Sequence, residues 1–521
     1  MILKNIFIFI FLLTSLNCVY AESLKSEKVT FELDNEIVHP ELKNKKEKKQ
    51  TVSVDIIIPT SAPSKNAWLH RIWESDYKLK KSIQLLEIGI SYQINGIIIN
   101  GEDYLKANIK EKKIFSKLCN EYNVNVILKS PKFGLPIKSS QLNIFKKLSN
   151  DPIANGVLIT FSPITLSEKQ TQQYFDLVYN AVTNKNLPIY IEPFSTHNYF
   201  LQALASAKNK NILPVQNWVE PKWSLTAPFS SRIEKFKNPQ ILRMDISLKQ
   251  FGNNNSFALM QDYIGYRHTQ CLEKAPNAHG MIVSFGNQFT SFGTMNAINI
   301  YTISELLLDK EKDIDEINYQ WFTAMYGEKT GDALFELTSN SINIIRKTIY
   351  IRGNYNSNFS SKMLPTPPKH FLTNTNFSQW FKINKKLSTT ATLIYREKIW
   401  ANELVTKLFN EYTDFSKKHK LLDSKISLIQ IKNLKTKVEL YKCWTKLLLT
   451  AQHHRIKKDN SDLLKLNKYL KFFPELKPTL GNFEEIYILH KKDSITLIPK
   501  ENLPSHINKI LKDSTKKKNN E

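Results

Sequence analysis

Short apolar runs with β-forming residues recur between residues 52 and 285, and stretches long enough for a helix separate them. Runs such as Ile56–Ile58 and Ile97–Ile99 are continuously apolar, which is typical of strands buried on both faces of a parallel sheet. The predicted strands are Val52–Pro59, Ile94–Asn100, Val124–Ser130, Gly156–Phe161, Leu187–Glu192, Ile212–Trp218, Ile241–Ser247 and Gly280–Phe285. Eight consecutive βα units favour a closed (β/α)8 TIM barrel over an open sheet.

The β signal fades after the barrel. From about residue 329 the chain shows apolar stripes at helical spacing, and a short β-like tail comes near its end. We therefore predict a (β/α)8 barrel followed by an all-α C-terminal domain. The predicted divisions are a signal peptide at 1–21, a linker at 22–51, the barrel with the catalytic site at 52–328 and the helical domain at 329–521.

The first residues have the pattern of a secretory signal. Lys4 supplies a positive start, Ile6–Leu13 is an apolar run, and small residues near Ala21 offer a cleavage site. The apolar run is too short to span a bilayer as a stable helix. We expect a secreted or periplasmic protein without stable membrane insertion.

The cysteine content and the net charge indicate which bonds, cofactors and partners to expect. Three widely spaced cysteines follow the predicted signal, which makes no disulfide framework. Zinc motifs, Gly-rich nucleotide loops and the GxSxG elbow are absent from the sequence, so we predict no metal and no cofactor. The net charge of +25 favours an anionic partner, although a compositional bias would produce the same number. We predict an acidic carbohydrate as partner and no nucleic acid.

Candidate catalytic residues follow from the barrel rule that reacting groups lie at the carboxyl ends of the strands. Glycosidic cleavage normally uses two carboxyl groups, one as acid and one as base or nucleophile. Glu192 and Glu220 follow adjacent predicted strands, and Asp245 lies on the next one. We predict these three as catalytic; the alternative is that each is a rim carboxylate paired with Lys or Arg.

Predicted substrate-binding residues lie in the same loops. Trp218 and Trp223 flank Glu220 and could stack on sugar rings, although tryptophans are more often packing residues. Lys249 could bind an anionic group of the substrate. The other predicted binding residues, expected in loops over the barrel mouth, are Asn217, Asn287 and His70.

The end of the barrel region resembles a known family. His279–Gly286, the Asn299 and Tyr301 pair, Trp321 and the Tyr326-Gly327 pair follow one another with the spacing of the closing segment of family 67 α-glucuronidases. The segment from Ile212 to Gly252 is similar in a looser way, so the resemblance covers about 120 residues. It implies a (β/α)8 barrel that hydrolyses an α-glucuronic acid linkage.

The catalytic acids of that family do not align with acids of this chain. Trp223 and Lys249 stand at the positions of its base pair, and Ser162-Pro163 follows the strand that carries its acid. Three hypotheses remain open. The chain is an α-glucuronidase-like glycoside hydrolase that uses nearby acids, a catalytically silent carbohydrate-binding barrel, or a barrel enzyme such as a polysaccharide lyase with Lys249 as base.

Overall fold

The structure is a computed structural model of the 521-residue chain. The residues that it describes are 25–33, 50–59, 61–133, 137–160, 168–182, 184, 186–192, 211–218, 229–246, 257–284, 292, 294–349, 391–421, 424–457, 486–491 and 494–499.

Eight parallel strands close into a barrel in the order β10-β3-β4-β5-β6-β7-β8-β9. This confirms the predicted (β/α)8 fold. The barrel strands are β3 (His70–Glu74), β4 (Gly96–Asn100), β5 (Asn125–Lys129), β6 (Ala154–Thr160), β7 (Ile189–Glu192), β8 (Ile212–Asn217), β9 (Gln240–Asp245) and β10 (Ala278–Ser284).

The first predicted strand is wrong, because residues 52–59 lie outside the barrel. They belong to β2 (Gln50–Ile58), which pairs antiparallel with β1 (Lys25–Leu33) in a separate two-stranded sheet. β1 lies where a linker was predicted. The end of β2 is nevertheless buried, and the Tyr92 hydroxyl donates a hydrogen bond to the Ile57 carbonyl. Burial therefore explains its apolar run, whereas the true first strand, β3, contains charged residues that hide the strand pattern.

Helices connect the strands and follow the barrel. Between the strands lie α1 (Leu79–Ser91), α2 (Gly101–Lys106), α3 (Ile109–Glu121), α4 (Ser139–Ser149), α5 (Glu168–Ala181), α6 (Ser231–Lys235) and α7 (Gln261–Lys274). After the barrel come α8 (Ala297–Leu308), α9 (Ile314–Tyr326), α10 (Glu328–Thr338), α11 (Ser341–Ile349), α12 (Ala391–His419), α13 (Ser424–Lys457) and the strand pair β11 (Ile486–Lys491) and β12 (Ser494–Pro499).

The chain divides into two compact units. The first comprises residues 1–339 and 416–429, and the second comprises 340–415 and 430–521. The second unit contains α11 and most of α12 and α13, so the helical character predicted for this region is confirmed. The domain boundary at 328–329 stays a prediction. Among the helices that the structure describes, none combines the length and the apolar character that a membrane span requires.

Side chains of α8 hold the backbone segment that leads into α7. The buried Asn299 amide accepts a hydrogen bond from the Met260 backbone N–H at 2.6 Å and donates one to the Ala258 carbonyl at 2.8 Å. Asn296 accepts from the Ala258 backbone N–H at 2.9 Å. These asparagines satisfy buried main-chain groups, which explains why the closing segment of this barrel contains them.

The barrel interior changes from apolar to polar along the strands. Each strand contributes one side chain to a shared buried cluster: Ile72, Ile98, Ile127, Leu158, Tyr190, Val215, Ile241 and Ile282. Side chains two residues apart lie on the same face of a strand. The next inward positions, at the carboxyl ends, are therefore Glu74, Asn100, Lys129, Thr160, Glu192, Asn217, Arg243 and Ser284. Polar groups thus cover the apolar core at the end of the barrel where reacting groups normally lie.

Candidate functional site

Four of these inward positions form a charged layer. It consists of Glu74, Lys129, Glu192 and Arg243, from the alternate strands β3, β5, β7 and β9. TIM-barrel interiors are filled by such four-residue layers from alternate strands, although bulky aliphatic side chains usually supply them. In this barrel the layer holds two acids and two bases, so charges must be paired inside the barrel.

Glu74 is the most enclosed acid of the layer, with 3% of its side chain exposed. One carboxylate oxygen lies 2.7 Å from Lys129 Nζ, and the other lies 3.3 Å from Arg243 Nη2. The Ser284 hydroxyl donates a short hydrogen bond to that second oxygen. Burial alone would raise the pKa of Glu74, but the neighbouring guanidinium and ammonium groups hold it far below its ordinary value. Glu74 is therefore ionised near neutral pH.

Arg243 joins the two acids of the layer. Its side chain is 1% exposed, and its Nη1 lies 2.7 Å from Glu192 Oε2 while Nη2 lies near Glu74. Burial disfavours the charged form, but the carboxylates of Glu192 and Glu74 raise the pKa of Arg243 above its ordinary value. One buried cation thus neutralises part of the charge of two carboxylates.

Glu192 is more exposed than Glu74, with 15% of its side chain accessible to solvent. Its Oε2 accepts a hydrogen bond from the Thr160 hydroxyl at 3.2 Å in addition to the Arg243 ion pair. Asp245 is the last residue of β9 and lies in register with Ser284 of β10. Its charge also contributes to the raised pKa of Arg243. Glu192 is therefore paired with the guanidinium, and Asp245 lies two residues beyond Arg243 on the same face of β9, at the carboxyl end of the barrel.

Lys129 completes the layer on its more open side. Its side chain is 28% exposed, and Nζ lies 2.7 Å from Glu74 and 3.5 Å from Asp76. Burial would lower the pKa of Lys129, but the Glu74 carboxylate raises it above the ordinary value. The ammonium group is therefore charged, and it is the more accessible of the two cations of the layer.

The chemistry available to this arrangement is that of ionised carboxylates. A carboxylate paired with a cation can activate water or attack an electrophilic carbon, whereas a proton donor at neutral pH needs a raised pKa. Glu74 has the opposite shift and cannot serve as that donor. Among the described residues, no group of three or more His, Cys, Asp or Glu side chains is arranged to hold a metal ion.

Some of the predicted site residues lie at the carboxyl end of the barrel, and others do not. Glu192 pairs with Arg243, Asp245 ends the strand that carries Arg243, and Asn217 ends β8 in register with Arg243. Trp218 is 1% exposed, so its ring is enclosed in the protein rather than open at the mouth. Four predicted residues lie outside the described part of the chain: Glu220, Trp223, Lys249 and Asn287.

The prediction that His70 lies in a loop over the mouth is wrong. His70 is the first residue of β3, in register with Gly280 of β10, and so lies at the amino end of the barrel. Burial lowers the pKa of His70, and His279 contributes to the shift. The error follows from the misassigned first strand, since a strand ending near residue 59 would put residue 70 in the loop after it.

Sequence reasoning missed Glu74 and Arg243 as members of the site. Glu74 was missed because its strand was not predicted. Arg243 interrupts the apolar run Ile241–Met244, and an arginine inside a buried strand is itself a signal, because such a charge must be paired. That signal indicates a buried, paired charge at Arg243 but does not identify its partners.

Comparisons with known proteins support the fold. No protein-family profile matches the sequence, and no curated protein is detectably similar to it. Among solved structures, a GH138 enzyme targeting the pectin rhamnogalacturonan II is similar with a TM-score of 0.53 at 10% identity, covering 87% of this chain and 64% of that protein. This chain therefore spans less than two thirds of that enzyme.

Two further solved structures are similar at lower scores. A GH115 4-O-methyl-α-glucuronidase with specificity for decorated arabinogalactans has a TM-score of 0.42 at 11% identity, covering 84% of this chain and 62% of that protein. A chitobiase from Flavobacterium johnsoniae has a TM-score of 0.34 at 9% identity, covering 85% of this chain and 83% of that protein. The fold conclusion rests on the GH138 enzyme, and a membership in family 67 is not established.

Proposed function

We propose that this chain is an exported glycoside hydrolase that acts on an acidic or modified polysaccharide or oligosaccharide, in the manner of an α-glucuronidase. The observation that carries the proposal is the Glu192 carboxylate, which lies 2.7 Å from the buried Arg243 guanidinium at the carboxyl end of the barrel, with Asp245 two residues beyond Arg243 on the same face of β9. Hydrolysis of a glycosidic bond needs at least one ionised carboxylate as base or nucleophile. A buried guanidinium that keeps such a group charged is suited to that role.

The two catalytic roles, base or nucleophile and proton donor, fall to different residues. We assign the base or nucleophile to Glu192, because it is more exposed than Glu74 and is oriented by both Arg243 and Thr160. Asp245 is the second candidate for the same role. We keep Glu220 as the proton donor, since it follows β8 in sequence and the depressed pKa of Glu74 excludes that residue from the role.

The proposed substrate class is an acidic carbohydrate. The GH138 enzyme of similar fold targets a pectin, and we propose a related substrate by analogy. The net charge of +25 and the position of Lys249 after β9 favour an acidic sugar. Among described residues, the Lys129 ammonium is the partly exposed cation of the layer and would add to that preference.

The test is release of reducing ends from pectic rhamnogalacturonan and glucuronoxylan oligosaccharides by the purified full chain. Glu192→Gln should lower kcat/KM by at least about 10²-fold, because the amide can neither accept a proton nor attack. Glu234→Gln is the matched control: that glutamate also pairs with a cation, Lys274, but its side chain is 39% exposed and lies on α6. Equal activity of the two variants would remove Glu192 from the mechanism.

A catalytically silent carbohydrate-binding barrel is the second candidate. It is favoured by the observation that Glu74 and Glu192 share Arg243, an arrangement that also occurs in ion-pair networks with a purely structural role. Isothermal titration with the same oligosaccharides separates the candidates. Binding of these ligands without any release of reducing ends or of unsaturated products would select the silent barrel, whereas an unsaturated product would select a lyase.

A further inference from the structure

We infer that Glu74 is a positioning residue of the proposed reaction, acting on Glu192 through Arg243. This inference rests on the proposed function, because it assigns Glu192 the role of base or nucleophile. Glu74 itself is 3% exposed and does not reach a substrate at the mouth. Its contact with Arg243 gives it a second task besides stability, which is to fix the orientation and the protonation of the Glu192 carboxylate.

The contacts of Glu74 and Arg243 restrict the orientation of Glu192. Glu74 is held by Lys129 at 2.7 Å and by the Ser284 hydroxyl, so its carboxylate has little freedom to rotate. Its second oxygen lies 3.3 Å from Arg243 Nη2, which leaves Nη1 directed at Glu192 Oε2 at 2.7 Å. Because the guanidinium is planar, a carboxylate that attracts one terminal nitrogen restricts the direction in which the other points. Glu192 is therefore oriented through a chain of contacts that begins at Glu74.

The charge of Glu74 also affects the protonation of Glu192. Glu74 and Glu192 compete for one guanidinium, and each carboxylate makes it harder to keep the other ionised. Replacing Glu74 with glutamine removes one negative charge and leaves Arg243 to Glu192 alone, so Glu192 should protonate at a lower pH. Removing the Lys129 ammonium should raise the pH at which Glu192 protonates. Glu74 then has Arg243 as its remaining cation and competes more strongly with Glu192 for it.

The experiment is the pH profile of kcat/KM, whose acid limb reports the protonation of the catalytic base in the free enzyme. With pectic rhamnogalacturonan oligosaccharides as substrate, Glu74→Gln should move the acid limb down by at least about half a pH unit. Lys129→Met should move the limb up by a similar amount. Glu234→Gln, which removes a paired carboxylate outside the barrel mouth, should leave the limb in place.

Opposite shifts in the two variants support the inference. Limbs that coincide with that of the wild type, or that move in the same direction, overturn it and leave Glu74 with a structural role only. Because Glu74→Gln removes a buried charge partner and could prevent folding, Lys129→Met carries the test on its own through the direction of its shift. Full activity of Glu192→Gln would instead remove Glu192 from the mechanism and with it the premise of this inference. The proposed function itself fails only if the wild type releases no reducing ends, so the two failures are distinguishable.

Discussion

Arg243 is the residue whose loss should be most costly to the barrel. Its side chain is 1% exposed, and its guanidinium contacts Glu74 at 3.3 Å and Glu192 at 2.7 Å. Arg243→Met preserves most of the volume but leaves the Glu74 carboxylate buried with Lys129 as its remaining cation. Removing one partner of a buried ion pair costs about 3–5 kcal/mol. At about 2.1 cal/mol/K of unfolding entropy per residue, a unit of roughly 350 residues changes its melting temperature by about 1.4 °C per kcal/mol, so the melting temperature at pH 7 should fall by roughly 4–7 °C.

The dependence of this loss on pH identifies its cause. In the wild type the pKa of Glu74 is depressed, so its ionised form contributes stability above the unfolded value of about 4.3, and the contribution is lost as the pH falls. In Arg243→Met the main cation that depresses the pKa is gone, so Glu74 can protonate in the folded state. The difference in melting temperature between wild type and variant should therefore shrink between pH 7 and about pH 4.

Thermal unfolding followed by circular dichroism measures both effects, with Lys274→Met as the control. Lys274 pairs with Glu234 at the same 2.7 Å, but both side chains are more than a third exposed, and exposed pairs contribute about 0–1 kcal/mol. An Arg243→Met protein that melts within about 2 °C of Lys274→Met would refute the reasoning. A large deficit that is constant with pH would also refute it, since the deficit would then come from packing rather than from charge.

Three further predictions concern the frame of the barrel. Burial lowers the pKa of His268 to about 4 while its ring accepts a hydrogen bond from Trp68, so its contribution to stability is present above about pH 6.5 and lost as the pH falls towards 4. His268→Gln should flatten the decline of the urea midpoint over that range, and an unchanged slope would contradict this. Asn299→Ala removes the hydrogen-bonding partner of two buried backbone groups in the segment before α7, and it should lower the free energy of unfolding in urea by about 2–5 kcal/mol. A loss of less than about 1 kcal/mol would mean that water replaces the amide. Gly280→Ala would put its Cβ 2.3 Å from the Cβ of His70, so the soluble yield or the urea midpoint should fall clearly, and a wild-type midpoint would mean that the two strands separate easily.

The sequence predicts the later barrel strands better than the first because apolar runs mark strands only where the buried side chains are apolar. Ile97–Ile99 satisfies that condition and is found in β4 as expected. β3 does not, because it directs a charge into the interior and that charge is stabilised by residues distant in sequence. An equally apolar run in β2 is buried outside the barrel, and local pattern cannot distinguish the two kinds of burial.

The same reasoning applies to the site. Glu192 and Asp245 were predictable because each ends a strand with a clear apolar run, and the barrel rule then puts them at one end. Their common partner, Arg243, could be suspected as a buried charge but not assigned, since its ion pairs depend on which residues the closed barrel brings into reach. Glu74 required the correct register of β3 against β10, which only the structure supplies.

The charged layer has a consequence for the order in which the chain folds. The ion pair of Glu74 with Lys129 joins residues 55 positions apart, but its hydrogen bond from Ser284 spans 210 positions and requires the first and last strands to meet. In a half-formed barrel these charges lack their partners and are better solvated by water than buried. Partial barrels should therefore stay open and hydrated at their carboxyl ends, and dry closure of that end should come late. The residues assigned to chemistry would then be assembled only in the final step of folding, once every strand is in place.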